Sequence, residues 1–195
     1  MPCVEQIPFI KLSYDDRQTL LSLCRESIRV RLLFDRDLNI DKSAFSPALQ
    51  QMAACFITLK IDGKLRGCIG SLEAHQSLVE DAVHNAAAAA VDDPRFPRLT
   101  LDEEAHVDID ISVLTTPIAL EFDSEEALLE QLTPGKDGLI IESGHYRATF
   151  LPSVWDSLPG KAAFLAQLKE KAGIPQNIEP EKLSAWRYET VSFRE

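Results

Sequence analysis

No stretch of this 195-residue chain approaches the roughly eighteen consecutive apolar residues that a bilayer span requires. Its start also lacks the basic segment, apolar run and small-residue cleavage site of a secretory signal, so the expected compartment is the cytoplasm. Cysteine is scarce and scattered. Cys3, Cys24, Cys55 and Cys68 form no C-x-x-C pair, a spacing that suits neither a disulfide scaffold nor a zinc knuckle, and reduced thiols are expected. No two of His75, His84, His106 and His145 stand three to five residues apart, and the nearby carboxylates show no ligand pattern. A dedicated metal site is therefore not expected, and nothing in the pattern calls for a cofactor. Basic charge is in deficit too, with 20 Lys and Arg against 31 Asp and Glu, a formal charge of −11. Nonspecific attraction to nucleic acid comes mainly from phosphate neutralisation, so bulk nucleic-acid binding is disfavoured. Arg66, Arg95 and Arg98 are the candidates for a local basic patch, and the acidic excess otherwise serves solubility.

What is present is enough for a sizeable core: 45% of the residues are apolar, and the length fits one domain or two intimately packed lobes. Ser13 can cap a helix that starts near Tyr14 and aligns Leu20, Cys24 and Ile28 on one face. Residues 35–47 are polar and rich in turn formers. Cys55 to Ile61, the turn Asp62-Gly63 and the alternating Leu65 to Ile69 read as a β-hairpin. A thin alanine-rich helix spans 77–91 and ends at Asp92-Asp93-Pro94. Thr100 and Glu103 have capping-box spacing for a short turn over 101–105. The clearest strand follows, with Val107, Ile109, Ile111 and Val113 on one face and Asp108, Asp110 and Ser112 on the other. A strand over 118–122 and a helix opened by Asp123 and Glu126 precede a second hairpin, Gly138 to Glu142 with Tyr146 to Leu151. A helix from Lys161 to Ala172 stops at Gly173 with Pro175 behind it, and 186–194 reads as one closing strand. Hairpins and adjacent helices without repeating βαβ units predict an α+β fold: a largely antiparallel or mixed sheet built from hairpins, with flanking helices, in two intimately packed lobes. The order hairpin then helix occurs in both halves and hints at an internal structural repeat.

The most informative stretch is Leu65-Arg66-Gly67-Cys68-Ile69-Gly70, which sets a guanidinium and a thiol two apart between glycines. Gly67 and Gly70 lack a Cβ, so backbone or ligand can approach closely there. Cys68 is the candidate nucleophile or thiol contact, because nearby positive charge activates a thiol and Arg66 is its same-face neighbour in an alternating strand. Register decides between readings. If Asp62-Gly63 alone forms the turn, Cys68 pairs with Ile57 and lies in the core; with a glycine bulge, Arg66 and Cys68 join Thr58 and Lys60 on a polar face. Structural thiol, ligand or partner contact, and nucleophile all remain open at this point. A nucleophile needs a base; His84, with Asn85 beside it on the next helix, is best placed to reach Cys68, and Glu103 is a second proton-handling candidate unless capping occupies it.

The second cluster is Asp93-Pro94-Arg95-Phe96-Pro97-Arg98. Two prolines stiffen a loop that presents Arg95 and Phe96, a pairing suited to a carboxylate, a phosphate or a stacked base. The alternative is that Phe96 anchors the loop while Arg95 pairs with Asp93 or Glu103.

Leu65 to Gly70, Asp93 to Pro97, Ser112-Val113-Leu114, Phe150-Leu151-Pro152 and Lys171-Ala172-Gly173 together resemble the AMMECR family, named after a human chromosomal region linked to Alport syndrome, midface hypoplasia and elliptocytosis. The resemblance runs almost end to end and implies a single AMMECR-type domain over residues 1–195, with a larger and a smaller lobe. It also implies the setting of the prokaryotic members, called protein A of the AmmeMemoRadiSam system, which accompany a Memo-type protein and a radical S-adenosylmethionine enzyme. The leading expectation is a protein that binds a small anionic or nucleotide-like ligand, or a protein segment, in a modification pathway. The site would be a cleft between Arg66–Gly70 and Asp93–Arg98, with Arg66, Gly67, Gly70, Asn85, Arg95 and Phe96 as contacts. The alternatives are a thiol-dependent enzyme using Cys68 with His84 or Glu103, and a scaffold for the Memo-type and radical S-adenosylmethionine partners.

Overall fold

The structure, a computed structural model, describes residues 10–195. Cys3 lies outside the described residues; Cys24, Cys55 and Cys68 are free thiols. The described chain resolves into two compact units, residues 10–114 with Val191–Glu195, and Thr115–Thr190.

In the first unit, helix α1 (Tyr14–Phe34) begins in a reciprocal capping box, with the Ser13 hydroxyl accepting from the Asp16 N–H and the Asp16 carboxylate accepting from the Ser13 backbone. The loop that follows contains one short 3₁₀ turn, Lys42–Ala44. Strands β1 (Cys55–Ile61) and β2 (Lys64–Gly70) form the first hairpin, helix α2 (Leu78–Val91) follows, and the turn α3 (Leu101–Glu104) leads into β3 (Asp108–Leu114). β1 pairs antiparallel with both β2 and β3. One sheet face is sealed by the two long helices. Leu20, Cys24 and Ile28 of α1, with Leu78, Ala82 and Ala86 of α2, meet Ile57, Leu59, Ile109 and Ile111, all without solvent exposure. Each buried Leu or Ile contributes about 2 kcal/mol by its removal from water. The alanines keep α2 thin, so its backbone lies close against the sheet.

In the second unit, β4 (Ile118–Leu120) is shorter than the five-residue strand expected from sequence. Helix α4 (Glu125–Glu130) is capped by Ser124, whose side chain accepts from the Ala127 N–H, so the cap falls one residue after the expected Asp123. Strands β5 (Gly138–Ser143) and β6 (Tyr146–Phe150) form the second hairpin, and helix α5 (Lys161–Ala172) stops at Gly173, whose φ of 75° is the left-handed cap expected there. Leu139, Ile141, Ala148 and Ala185 pack under Phe164, Leu165 and Leu168, and Trp155 stacks on Phe164 at 3.7 Å between ring centroids.

The expected single closing strand is in fact two, β7 (Ser184–Tyr188) and β8 (Thr190–Arg194), in different sheets. The break falls at Glu189. Its N–H donates to Thr115 Oγ1 at 2.8 Å, and its carbonyl accepts from the Thr115 N–H at 2.9 Å, so the backbone bonds with a loop residue rather than a ladder.

The hint of a repeat is realised in topology. Hairpin β1-β2, helix α2 and strand β3 form the order β2-β1-β3; hairpin β5-β6, helix α5 and strand β7 form β6-β5-β7. Each sheet gains a fourth strand from the chain that leaves the other: β4, directly after β3, joins β7, and β8, directly after β7, joins β3. Counted from the turns, Thr58↔Cys68 in one sheet matches Ile140↔Thr149 in the other. The repeats differ in one inserted residue, Arg66.

Candidate functional site

Register, left open by the sequence, is settled by a bulge outside the turn. Asp62 (φ 51°) and Gly63 (φ 73°) form the two-residue turn. Lys60 pairs with Leu65 but Leu59 pairs with Gly67, leaving Arg66 as an extra residue on β2. That bulge shifts everything beyond it by one, so Cys68 lies opposite Thr58 rather than Ile57. The core reading of Cys68 is thereby overturned: its half-buried thiol lies on the sheet face away from the helices, 3.3 Å from Thr58 Oγ1. The same face carries Lys60, which donates to the Asp110 carboxylate at 2.5 Å, and Ser112, whose hydroxyl meets that of Ser192 at 2.9 Å.

The bulge also redirects Arg66. Its Nε and Nη2 grip the two Glu103 oxygens at 2.9 and 3.0 Å, and Nη1 donates to the Pro97 carbonyl at 2.9 Å. Arg66 is thus a strut tying β2 to α3 and to the end of the Asp93–Arg98 loop. Glu103 is doubly committed, because it also caps Thr100. The Arg66 guanidinium first, and then the Thr100 N–H, hold its carboxyl well below the usual range, at about 2. A carboxylate so held remains ionised near neutrality and is a poor proton donor, which removes the sequence-based reason for giving it proton transfer. Replacing Arg66 by Ala is expected to lower stability by about 1–3 kcal/mol, measured by urea unfolding, as a bidentate charged bond and a carbonyl contact are lost.

The cation beside Cys68 is Arg95. Its Nη2 donates to the Cys68 carbonyl at 3.3 Å, which brings the guanidinium next to the thiol-bearing residue. Asp93 completes the clasp, accepting from the Cys68 N–H at 2.8 Å and from Arg95 Nε and Nη2 at 2.9 and 2.7 Å. One loop therefore satisfies both backbone groups of an edge-strand residue with side chains, as a neighbouring strand would. That protects the edge of β2 and holds the Cys68 backbone rigidly. Asp93 is 2% exposed at its side chain; the Arg95 guanidinium first, with the Cys68 N–H also bonded, holds its carboxyl down at about 2. Arg95 keeps 55% of its side chain exposed and lies 5.5 Å from the centroid of the half-buried Phe96 ring.

The remaining expected residues lie elsewhere. A Cβ at Gly67 would stand 2.2 Å from the Ala89 carbonyl oxygen and one at Gly70 2.3 Å from the Phe56 ring. Both glycines thus make room for protein atoms rather than for a ligand. Asn85 is 3% exposed and donates to the Cys55 carbonyl, Ser71 and Asp81, a structural knot with no opening to a ligand. His84 is exposed on α2, on the opposite side of the sheet from the Cys68 face, and lines a groove of about 180 Å³ with Asp37, Asn39 and Glu80. It is not brought to Cys68. Among the described residues, no group of three or more His, Cys, Asp or Glu side chains is arranged to hold a metal ion, and no helix is long and apolar enough to cross a membrane.

Sequence reasoning overlooked two carboxylates. Asp81 is 1% exposed and accepts from the Cys55 N–H, Ser71, Gln76 and Asn85, pinning the start of β1 to α2. The signal was there: Asp81 and Asn85 sit four apart within the apolar stripe of α2, where a polar residue must find partners. Asp93 was weighed only as a partner for Arg95; its bond to an edge strand has no local signature.

The family model described as AMMECR1 matches residues 21–193. A protein of Methanothermobacter thermautotrophicus is 33% identical over 194 residues, covering 96% of this chain and 98% of its own length. One of Methanocaldococcus jannaschii is 36% identical over 160 residues, 78% of each chain. The crystal structure of an uncharacterised Pyrococcus horikoshii protein superposes with a TM-score of 0.84 at 32% identity, covering 91% of this chain and 90% of that one. Fold, coverage and identity agree, and the chain belongs to the AMMECR1 family.

Proposed function

We propose that the chain binds an anionic or nucleotide-like ligand, or a protein segment, on the face of β2 that presents Cys68 together with the Asp93–Arg98 loop. One observation carries this reading: Arg95 is a half-exposed guanidinium beside a half-buried thiol, backed by an aromatic ring and held by a buried carboxylate. Asp93 and the Cys68 carbonyl engage Nε and Nη2, which leaves the Nη1 side for an incoming oxyanion, and Phe96 offers a surface for a planar group. Arg66 positions the loop and does not meet the ligand. The pathway setting is the one implied by the family resemblance, alongside Memo-type and radical S-adenosylmethionine partners.

The second reading, a thiol enzyme, draws on Thr58 Oγ1 at 3.3 Å from the sulfur and on the adjacent Arg95. Neither proton carrier expected from the sequence serves it, since His84 lies across the sheet and Glu103 is held ionised. Binding therefore ranks first.

Alkylation of Cys68 tests both. With Arg95 beside the sulfur, anionic iodoacetate should gain on neutral iodoacetamide by about fivefold relative to an unstructured thiol peptide, the advantage of one opposite charge at close range in a water-like medium. Arg95→Gln should abolish that gain, and adenosine monophosphate should protect the thiol. An unchanged reagent ratio, or no labelling of the folded protein, overturns the binding reading. A Cys68 no faster than the free peptide with iodoacetamide across the pH range overturns the nucleophile reading.

A further inference from the structure

Binding of an anion by Arg95 gives the Cys68 thiol no task. The half-buried side chain of Cys68 stands on the sheet face away from the helices, with Thr58 Oγ1 3.3 Å from the sulfur. Arg95 reaches the same residue through its carbonyl, and with Asp93 on Nε and Nη2 the half-exposed guanidinium has Nη1 without a bond among the described residues. Most thiol chemistry asks for more than these groups. Acyl and phosphoryl transfer call for a proton donor at the leaving group and for donors at the developing oxyanion, and neither His84, across the sheet, nor Glu103, held ionised, supplies the proton. Thiol-disulfide exchange calls for neither, because the attacking and leaving groups are both thiolates; a hydroxyl donor and a cation at close range favour the charged sulfur. The two other described cysteines take no part. Cys24 and Cys55 are fully enclosed in the core under the helices, and burial raises both thiols above their ordinary range. Among the described residues no second thiol shares the Cys68 face, so a mixed disulfide formed there persists.

We propose that Cys68, Thr58 and Arg95 form a modification site for an anionic low-molecular-weight disulfide, one whose arms carry carboxylate or phosphate groups, with Arg95 selecting the charge. The site is the one assigned above to anion binding, and this inference rests on that reading. Cys68 gives its proton to water, and the thiolate attacks one sulfur of the disulfide. A bond forms between Cys68 Sγ and that sulfur as the original S–S bond breaks; the departing sulfur leaves with the electron pair and takes a proton from water. No further oxidant enters, because the incoming disulfide is reduced as Cys68 is oxidised. The retained arm places its anionic group against Nη1 of Arg95, the position an unattached oxyanion would use. Modification therefore closes this face to its ligand until a second thiol removes the arm.

The probes are oxidised glutathione, whose halves are anionic, and cystamine, whose halves are cationic, each incubated with the full chain. Intact mass and peptide mapping give the rate at Cys68 itself, so an adduct at Cys3 does not count. The formal charge of −11 favours cystamine, and a preference for glutathione therefore requires a local cation. Relative to an unstructured thiol peptide, the glutathione-to-cystamine rate ratio at Cys68 should be at least about tenfold higher, the combined effect of one attraction and one repulsion at close range in a water-like medium. Arg95→Gln should return the ratio to the peptide's value or below, and Arg95→Lys, which keeps the charge, should leave it raised; circular dichroism verifies that both are folded. Dithiothreitol should release the arm and restore alkylation by iodoacetate. No adduct at Cys68, a wild-type ratio no higher than the peptide's, or an unchanged ratio in folded Arg95→Gln overturns the proposal. If iodoacetate still shows its Arg95-dependent gain in that event, the binding reading stands without this inference; if that gain is absent too, both fall.

Discussion

Gly67→Ala should destabilise the protein by about 3 kcal/mol or more. The added Cβ would lie 2.2 Å from the Ala89 carbonyl oxygen and 3.2 Å from its carbon. The obstacle is backbone within a helix packed on the sheet, so no side chain can swing aside. Relief requires α2 to lift off β2, which opens contacts along the fully buried stripe of Leu78, Ala82 and Ala86. Overpacking in a core commonly costs about 1–3 kcal/mol, and a contact this short with an immobile partner belongs at or above the upper end. Guanidinium unfolding measures the change. The internal control is Gly144→Ala: Gly144 has no atom near its missing Cβ and a φ of 60°, so only local backbone strain of about 1 kcal/mol is expected there. Equal losses at the two positions would refute the close-packing argument.

Asp93→Ala should cost about 3 kcal/mol, because one buried carboxylate accepts from the Cys68 N–H and from Arg95 and its removal orphans both. Asp93→Asn separates charge from hydrogen bonding through pH. In the folded protein the group titrates at about 2, against an ordinary value of 3.8. As pH falls, the unfolded chain takes up the proton first. The stabilisation is therefore complete above about pH 5 and is lost as pH falls through 4 toward 2. The shift corresponds to at most about 2 kcal/mol, because the Asp93 carboxyl is enclosed but the Arg95 guanidinium that holds it is 55% exposed and screened by solvent. Glu103 and Asp16 are also held low and contribute to the acid slope, so the quantity to measure is the difference between wild type and Asp93→Asn across this window. A difference independent of pH would show that the charge of Asp93 does not carry the clasp. Loss of the clasp should also increase hydrogen exchange at the Cys68 amide.

Local chemistry explains which parts of the architecture were readable in advance. The caps at Ser13 and Thr100, the two-residue turn at Asp62-Gly63 and the left-handed stop at Gly173 act between residues a few positions apart, and each stands where its spacing places it. The alternation of β3 likewise reports one buried face, with Ile109 and Ile111 fully enclosed. Errors arose where a distant partner competed. The last strand breaks at Glu189 because Thr115 takes its backbone bonds, 74 residues away. Gly67, Gly70 and Asn85 read as ligand contacts because a missing Cβ or a polar tip beside a motif looks the same whether a ligand or the protein fills the space. Here Ala89, Phe56 and Cys55 fill it.

Most helices and hairpins, the α+β class, the family and the two segments that meet at Cys68 were legible in the residues alone, because period, capping and turn preferences are properties of near neighbours. Tertiary structure decided what those segments do with their charges. A one-residue bulge turned Arg66 toward Glu103, brought Cys68 to the face opposite the helices, and left Arg95 as its cation. Strand register depends on the competition of a whole ladder for buried faces and paired edges, and that competition is settled only when the strand, its neighbour and the loop covering its edge are all in place.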